Sequence, residues 1–285
     1  MNTKTLSEKA MLAALNISVW DRFKFDKKVS NEVATQHNTT MKAGRYNKNL
    51  LPFEPVTYKA VTALAGEARQ AHYSLTLPWQ DDGARILSCA NWTNYTNIIR
   101  GVQTRFNSAV QDFISDSPAC FARALRELNG LGNAADFPTI EQLKGAFDFR
   151  VKFFPFPTAE DFRVALQPSD VQMIQEEIET NINATLVQSM KEPFKRLHDA
   201  VKRVAVTLAD SDAIFRDSMI LNIESLLDVL PGLNLTGDPQ LTQVCDEIKA
   251  SLVVNPDTLR HSTVTRASVA VRALEIQNNL AAFMA

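Results

Sequence analysis

The residues best suited to chemistry lie in one short segment, 75–85, between two stretches of helical hydrophobic spacing. This segment places two carboxylates beside a tryptophan and an arginine. Two adjacent carboxylates do not make a metal site without a nearby histidine or third acid, because divalent cations require more ligands. The group can instead face a binding partner through its charges. We call it the junction motif, and its members are Trp79, Asp81, Asp82 and Arg85.

Each member of the junction motif can also have a purely structural role. Trp79 can bury a large area and is predicted to be a packed anchor. Asp81 or Asp82 can cap the next helix, and Arg85 can pair with Asp82 at a three-residue spacing. The sequence leaves both interpretations of the motif open.

A second irregular segment carries Asp161 and Arg163, for which binding and structural roles are again both open. If they meet Asp81 and Asp82 in a pocket that shifts the carboxyl pKa values, a metal-independent enzyme is an alternative function. The chain contains no Gly-x-Ser-x-Gly motif and no phosphate-binding loop, and its four histidines are isolated. We therefore assign no catalytic residue, no metal and no cofactor from the sequence.

The elements that must position these residues are predicted to be mostly helical. Apolar side chains recur every three or four residues along much of the chain. The first 15 residues also resemble a short helix, and Pro118 is expected to begin a new one. The main predicted helices cover about 54–75, 90–115, 169–208, 211–230, 238–253 and 262–283.

The longest predicted helix, 169–208, contains Pro193, which is expected to kink it or divide it in two. Its first turns carry only acids and its second half mostly bases, as the helix dipole favours. Antiparallel pairing of two copies would also join these opposite charges. A nucleic-acid-binding stripe is a third hypothesis. The candidate basic interaction face consists of Lys191, Lys195, Arg196, Lys202 and Arg203.

The predicted fold class is mainly α, an elongated helical bundle with one long kinked helix and a small β element near the middle of the chain. That element is the aromatic segment around Phe149–Phe156. The predicted regions are an N-terminal helical region at 1–148, an extended or β segment at 149–168, and a C-terminal long-helix bundle at 169–285. One continuous domain is the alternative.

Composition narrows the possible environments. The formal net charge of −2 predicts no bulk attraction to nucleic acid or to an anionic membrane. No apolar run is long enough to suggest a membrane span or a secretory signal. Three widely spaced cysteines indicate reduced, buried thiols and a cytoplasmic protein.

The order of several short motifs resembles a family of mainly helical proteins of tailed bacteriophages and some bacteria. The clearest is Thr-Leu-Pro-Trp-x-Asp-x-Gly-x-Arg at 76–85, and the similarity extends from about residue 15 to 275. Ser117 departs from the pattern, which has an aromatic residue before the proline. The other matching stretches are 45–50, 161–163, 215–218, 233–239 and 258–260.

The resemblance implies a phage protein in the cytoplasm of the infected cell. Members of the family are often encoded near a MoxR-type AAA ATPase and a von Willebrand A-domain protein, and they supply no catalytic residue to transfer. We therefore expect a non-enzymatic interaction or assembly protein, self-associating or an adaptor for such an ATPase system. A nucleic-acid-associated protein using 191–203 and the Arg45 region remains an alternative, as does the enzyme.

Overall fold

The computed structural model describes residues 6–79, 83–161, 167–210 and 213–284. The predicted mainly α fold class is confirmed, with a small antiparallel sheet beside the helices. The helices are α1 (Lys27–Gln36), α2 (Val56–Leu75), α3 (Trp92–Leu128), α4 (Ile140–Gly145), α5 (Pro168–Ala209), α6 (Ser218–Leu233), α7 (Pro239–Leu252), α8 (Pro256–His261) and α9 (Thr263–Ala281).

The strands form a four-stranded sheet and a separate two-stranded ribbon. The sheet has the order β4-β5-β1-β6, and the ribbon pairs β2 with β3. In the sheet, β1 runs antiparallel to β5, with Ala10 opposite Ser88 and Ala14 opposite Ala84. The strands are β1 (Ala10–Ser18), β2 (Phe23–Phe25), β3 (Asn47–Asn49), β4 (Leu77–Pro78), β5 (Ala84–Ser88) and β6 (Asp148–Pro155).

The sheet brings together strands that are distant in sequence. The predicted N-terminal helix is wrong from Ala10 on, since Ala10–Ser18 forms β1 and buries Leu12 and Ala13, whereas Leu6 and Ser7 are helical. Pairing with β5, about seventy residues further on, outweighs the local helical spacing, because strand formation depends on its neighbours. The predicted extended segment at 149–156 is indeed a strand, β6, and its neighbour in the sheet is β1.

Proline does not interrupt the long helices. Pro193 lies inside α5, which is one helix of 42 residues, so the predicted division does not occur. The helix predicted to begin at Pro118 is also wrong, because Pro118 lies inside α3. Proline lacks the N–H that would bond to the carbonyl four residues earlier, here Ile114. The Ser117 hydroxyl donates to that carbonyl instead, at 2.8 Å.

Two compact units are assembled from segments that alternate along the chain. The first unit comprises Met1–Ala14, His72–Thr96 and Lys152–Ala285. The second comprises Leu15–Ala71 and Asn97–Val151.

The core of the first unit is built around α5, which packs most extensively against α9 and also against α6. No side chain from Pro168 to Asn181 is buried, so only the later part of α5 contributes to the core. The apolar residues that the sequence spaces by three or four along this later part are the ones buried. They are Ile182, Leu186, Met190, Phe194, Leu197, Val201, Val204 and Leu208.

The core of the second unit lies between α2 and α3. The Tyr58 and Phe113 rings are 5.2 Å apart, and the Arg105 guanidinium lies 2.5 Å from Glu67. The earlier residue of α2, Tyr58, contacts the later residue of α3, Phe113, and the later residue Glu67 contacts the earlier Arg105. The two helices are therefore antiparallel here. Trp20 stacks on Phe113 at 6.2 Å, and its carbonyl accepts a hydrogen bond from the Tyr58 hydroxyl.

Ser117→Ala should lower the free energy of unfolding by about 1–2 kcal/mol, because the buried Ile114 carbonyl loses its donor. Ser108→Ala, on an exposed position of the same helix, serves as the control. Urea unfolding followed by circular dichroism measures both. Equal stabilities of the two variants would show that the Ser117 hydroxyl does not compensate for Pro118.

Candidate functional site

Trp79 of the junction motif lines one cleft in the first unit together with Lys191 and Lys195 of the basic face. Trp79 follows β4, and the α5 residues occupy positions 188, 191, 192 and 195, a spacing that places them on one side of the helix. The cleft encloses about 390 Å³. Its lining consists of Pro78, Trp79, Gln188, Lys191, Glu192, Lys195 and Met284.

Trp79 forms one wall of the cleft and is mostly packed. Its side chain is 8% exposed, and its ring meets the edge of Phe156 with the centroids 4.9 Å apart. The preceding carbonyl, of Pro78, lies 2.6 Å from the Ser189 hydroxyl of α5. This arrangement is the one expected of an anchor between β4 and α5.

Arg196, predicted to belong to a basic interaction face, is used inside the first unit. Its guanidinium donates to the carbonyls of Tyr73, Ser74 and Thr76 at 2.8–2.9 Å. The last carbonyls of a helix have no intrahelical donor, and a cation is favoured at this end of the dipole. Glu192 accepts from Arg196 Nε at 3.1 Å. Arg196 is therefore the C-terminal cap of α2.

Arg85 lies beside Arg196 and is also used internally. Its Nε donates to the Thr76 hydroxyl at 2.8 Å, and its guanidinium stacks 4.7 Å above the Tyr73 ring. Burial lowers the pKa of Arg85, and the nearby Arg196 adds to the effect. The pairing predicted between Arg85 and Asp82 lies outside the described residues.

A buried histidine–tyrosine pair lies next to Arg85. His72 Nδ1 is 2.8 Å from the Tyr95 hydroxyl, and both side chains are almost fully buried. Burial lowers the pKa of His72 to about 4, with a further contribution from Arg85, and burial raises the pKa of Tyr95. At neutral pH the imidazole is therefore neutral. Because neither group reaches solvent, the pair is structural.

The carboxylates of the enzyme hypothesis remain untested. Asp81, Asp82 and Arg163 lie outside the described residues. Asp161 ends a 3₁₀ turn, Ala159–Asp161, and its side chain also lies outside the described part of the chain. The structure therefore brings together the Trp79 and Arg85 ends of the junction motif and does not describe its acids.

The other predicted basic residues lie at the surface of α5. Lys195, Lys202 and Arg203 are exposed, and Lys191 is half-buried at the cleft. Arg203 Nε donates to the Asp199 carbonyl at 3.1 Å. The basic face is thus divided between exposed lysines and the capping Arg196.

No family model, curated protein or solved structure matches this chain. Within the described ranges, no group of three or more histidines, cysteines or carboxylates could hold a metal ion. No helix in that part of the chain is long and apolar enough to cross a membrane. The three cysteines are free thiols, and Cys89 is exposed, contrary to the prediction that all three are buried.

The outer side of α9 is an apolar surface that the sequence analysis missed. Val264, Val271 and Leu274 are 79%, 60% and 51% exposed. With their neighbours they repeat at alternating intervals of three and four residues, which is the spacing of a coiled-coil seam. We call this surface the α9 outer face, and it consists of Val264, Ala267, Val271, Leu274, Asn278 and Ala281.

The opposite side of α9 is apolar as well and is already buried in the core. Val269, Ala273, Ile276 and Leu280 have at most 5% exposure. At 100° per residue, these positions lie roughly opposite the α9 outer face. A surface helix normally has one apolar stripe, so a second one indicates a second packing partner. The alternating spacing of three and four residues is the sequence signal that could have revealed the α9 outer face. No comparable signal in the sequence links His72 with Tyr95.

The buried His72 should make folding sensitive to acid. The pKa of His72 in the folded protein is about 4, below the ordinary value of 6.5. The contribution of the neutral imidazole to folding stability is therefore complete above pH 6.5 and is lost as the pH falls towards 4. Between pH 7 and 4.5 the free energy of unfolding of the unaltered protein should fall by about 2 kcal/mol more than that of the His72→Gln variant. Denaturant unfolding across this range measures the difference, with His261→Gln as an exposed control. Parallel profiles for the protein and His72→Gln would contradict the assignment.

Proposed function

We propose that this chain is a non-enzymatic interaction or assembly protein that associates with a second copy of itself through the α9 outer face. The observation that carries the proposal is the second apolar stripe of α9. Exposed apolar area of this kind gains free energy when it is removed from water, at roughly 25 cal/mol per Å². A non-enzymatic role also agrees with the internal use of Arg85, Arg196 and His72.

The pattern of the α9 outer face suits a second copy of the same helix. From Val264 to Ala281 it extends over about 25 Å at 1.5 Å per residue, or nearly five turns. Asn278 occupies the position equivalent to Val264 and Val271 in the repeat. A single asparagine at such a position pairs with itself across a dimer and fixes the register of the helices.

The charges beside the α9 outer face also permit self-association. Arg272 pairs with Glu275 at 2.7 Å on its own helix and with Glu247 of α7 at 2.6 Å. Arg272 is thus paired within one copy, and of these charges only Glu275 directly borders the apolar stripe. With so little charge beside the stripe, two copies can approach each other without strong repulsion.

Pairing through the charges of α5 is the weaker route to assembly. The acids of its first turns are exposed, but Arg196 on the basic half is committed to the cap of α2. The three exposed bases Lys195, Lys202 and Arg203 would form screened surface pairs, which contribute little each. The apolar α9 outer face therefore carries the proposal.

The wider setting of the proposal comes from the family resemblance. It includes a phage role in the host cytoplasm and an adaptor function for an AAA ATPase and von Willebrand A-domain system. From the apolar spacing and Pro193 we add to the proposal an elongated helical bundle with a kink in α5. The long helices and their charged surfaces support this setting, because they offer extended area for protein partners.

The double variant Val271→Glu/Leu274→Glu should be monomeric under conditions where the unaltered protein is a dimer. The carboxylates would be desolvated at the centre of the interface. Light scattering coupled to size-exclusion chromatography at micromolar concentrations measures the mass at low and high salt. Val206→Glu, at a 61% exposed valine of α5, is the matched control and should remain dimeric.

Asn278→Val adds a test in the opposite direction. Replacing a polar core residue of a coiled coil strengthens association while relaxing its register. The variant should dissociate at lower concentration than the unaltered protein in sedimentation velocity. If the unaltered protein is monomeric at high protein concentration, at both low and high salt, self-association is ruled out. A different protein is then the partner.

A further inference from the structure

The two-stranded ribbon of the second unit exposes aromatic rings that its own core does not need. Phe23 and Phe25 of β2 are 50% and 38% exposed, and Tyr46, just before β3, is 37% exposed. Phe23 and Phe25 lie two residues apart on one strand, so they point to the same face about 7 Å apart. The two rings on one face form an exposed aromatic patch rather than a single exposed side chain.

Two arginines lie against these rings, in a basic stretch of the chain whose Lys24 is paired with Asp136 at 3.0 Å. The Arg45 guanidinium lies 4.5 Å from the centroid of Phe25, and that of Arg22 lies 5.4 Å from Phe23. Positions 21–48 carry three acids against seven basic residues, a net charge of +4 in a chain whose total is −2. The basic residues are Arg22, Lys24, Lys27, Lys28, Lys42, Arg45 and Lys48.

The ribbon is held rigidly from below by one of these basic residues. Lys48 is 5% exposed, and its ammonium lies 3.2 Å from Asp26 and 2.5 Å from Asp136. It also donates to the Leu131 carbonyl at 2.8 Å. Paired with two carboxylates, Lys48 is a structural cation. The exposed basic side chains around the rings are therefore the ones that can meet a ligand.

A cavity of about 360 Å³ opens beside the rings. It is bounded by α1 and by the loop that leads to β3, and its walls are mostly apolar with hydroxyl groups from Thr39 and Thr40. This volume is in the range of small-ligand pockets. Arg45 lines the cavity and also lies over the Phe25 ring, so this side chain joins the cavity to the aromatic face.

We propose that this surface binds single-stranded nucleic acid, with nucleobases stacked on Phe23 and Phe25 and phosphates paired with the surrounding basic side chains. We call it the ribbon face, formed by Phe23, Phe25 and Arg45. Every nucleobase has a flat apolar face, and stacking on aromatic rings within a positive groove is the usual means of binding single strands. The spacing of about 7 Å lets each ring contact a different nucleobase of an extended strand. The cavity can accept a further nucleobase. This binding does not depend on the association of copies through α9.

The test is fluorescence anisotropy of labelled 12-nucleotide oligothymidine and oligouridine against the full chain. Binding to one or both should weaken at least tenfold in Phe23→Ala/Phe25→Ala, because each stacked ring contributes substantially. Phe25→Tyr should retain binding. Arg45→Gln should reduce the slope of the salt dependence by about one. Comparison of the two oligomers shows whether DNA or RNA is preferred.

Two control variants show whether binding is specific to the ribbon face. Phe154→Ala removes a 44% exposed ring elsewhere, and Lys202→Gln removes an exposed basic side chain of α5. Both should bind like the unaltered protein, and circular dichroism melts should be unchanged in every variant because the altered side chains are exposed. A protein that binds neither oligomer at tens of micromolar and low salt would overturn the proposal. So would binding that survives loss of both rings, or that depends on Lys202 instead.

Discussion

The first unit depends on satisfying the carbonyl groups where α2 ends and the chain enters the sheet. These groups have no helical donor, and the Thr76 carbonyl, which belongs to a buried residue, would cost about 1–3 kcal/mol if left unpaired. Arg196 supplies donors to three of them from the middle of α5. One side chain therefore fixes α5 against the end of α2, and β4 and Trp79 follow directly from that end.

The same requirement gives Arg85 and Arg196 structural roles, next to the buried His72. Arg85 and Arg196 both donate to Thr76, and Glu192 partly balances their like charges. The His72 imidazole stays neutral because burial opposes its charged form and so lowers its pKa. A satisfied buried network of this kind specifies a single arrangement of its elements. Function is therefore more reasonably sought on the surface.

The two surfaces proposed to bind partners rely on different physical interactions. The α9 outer face is apolar with few charges beside it, so association through it should depend weakly on salt. The ribbon face combines rings with an excess of positive charge, so binding there should weaken steeply as salt rises. They belong to different compact units of the chain. Each can therefore be altered by substitution without changing the other.

The sequence by itself determined the elements whose signals are local. Periodic apolar residues identified α2, most of α3 and the buried side of α5. Only the tertiary structure decided that residues 10–18 form a strand, because the partner β5 is distant in sequence. It also assigned Arg196 to the cap of α2 and His72 to Tyr95. These roles depend on which groups are desolvated together, and no spacing along the chain specifies that.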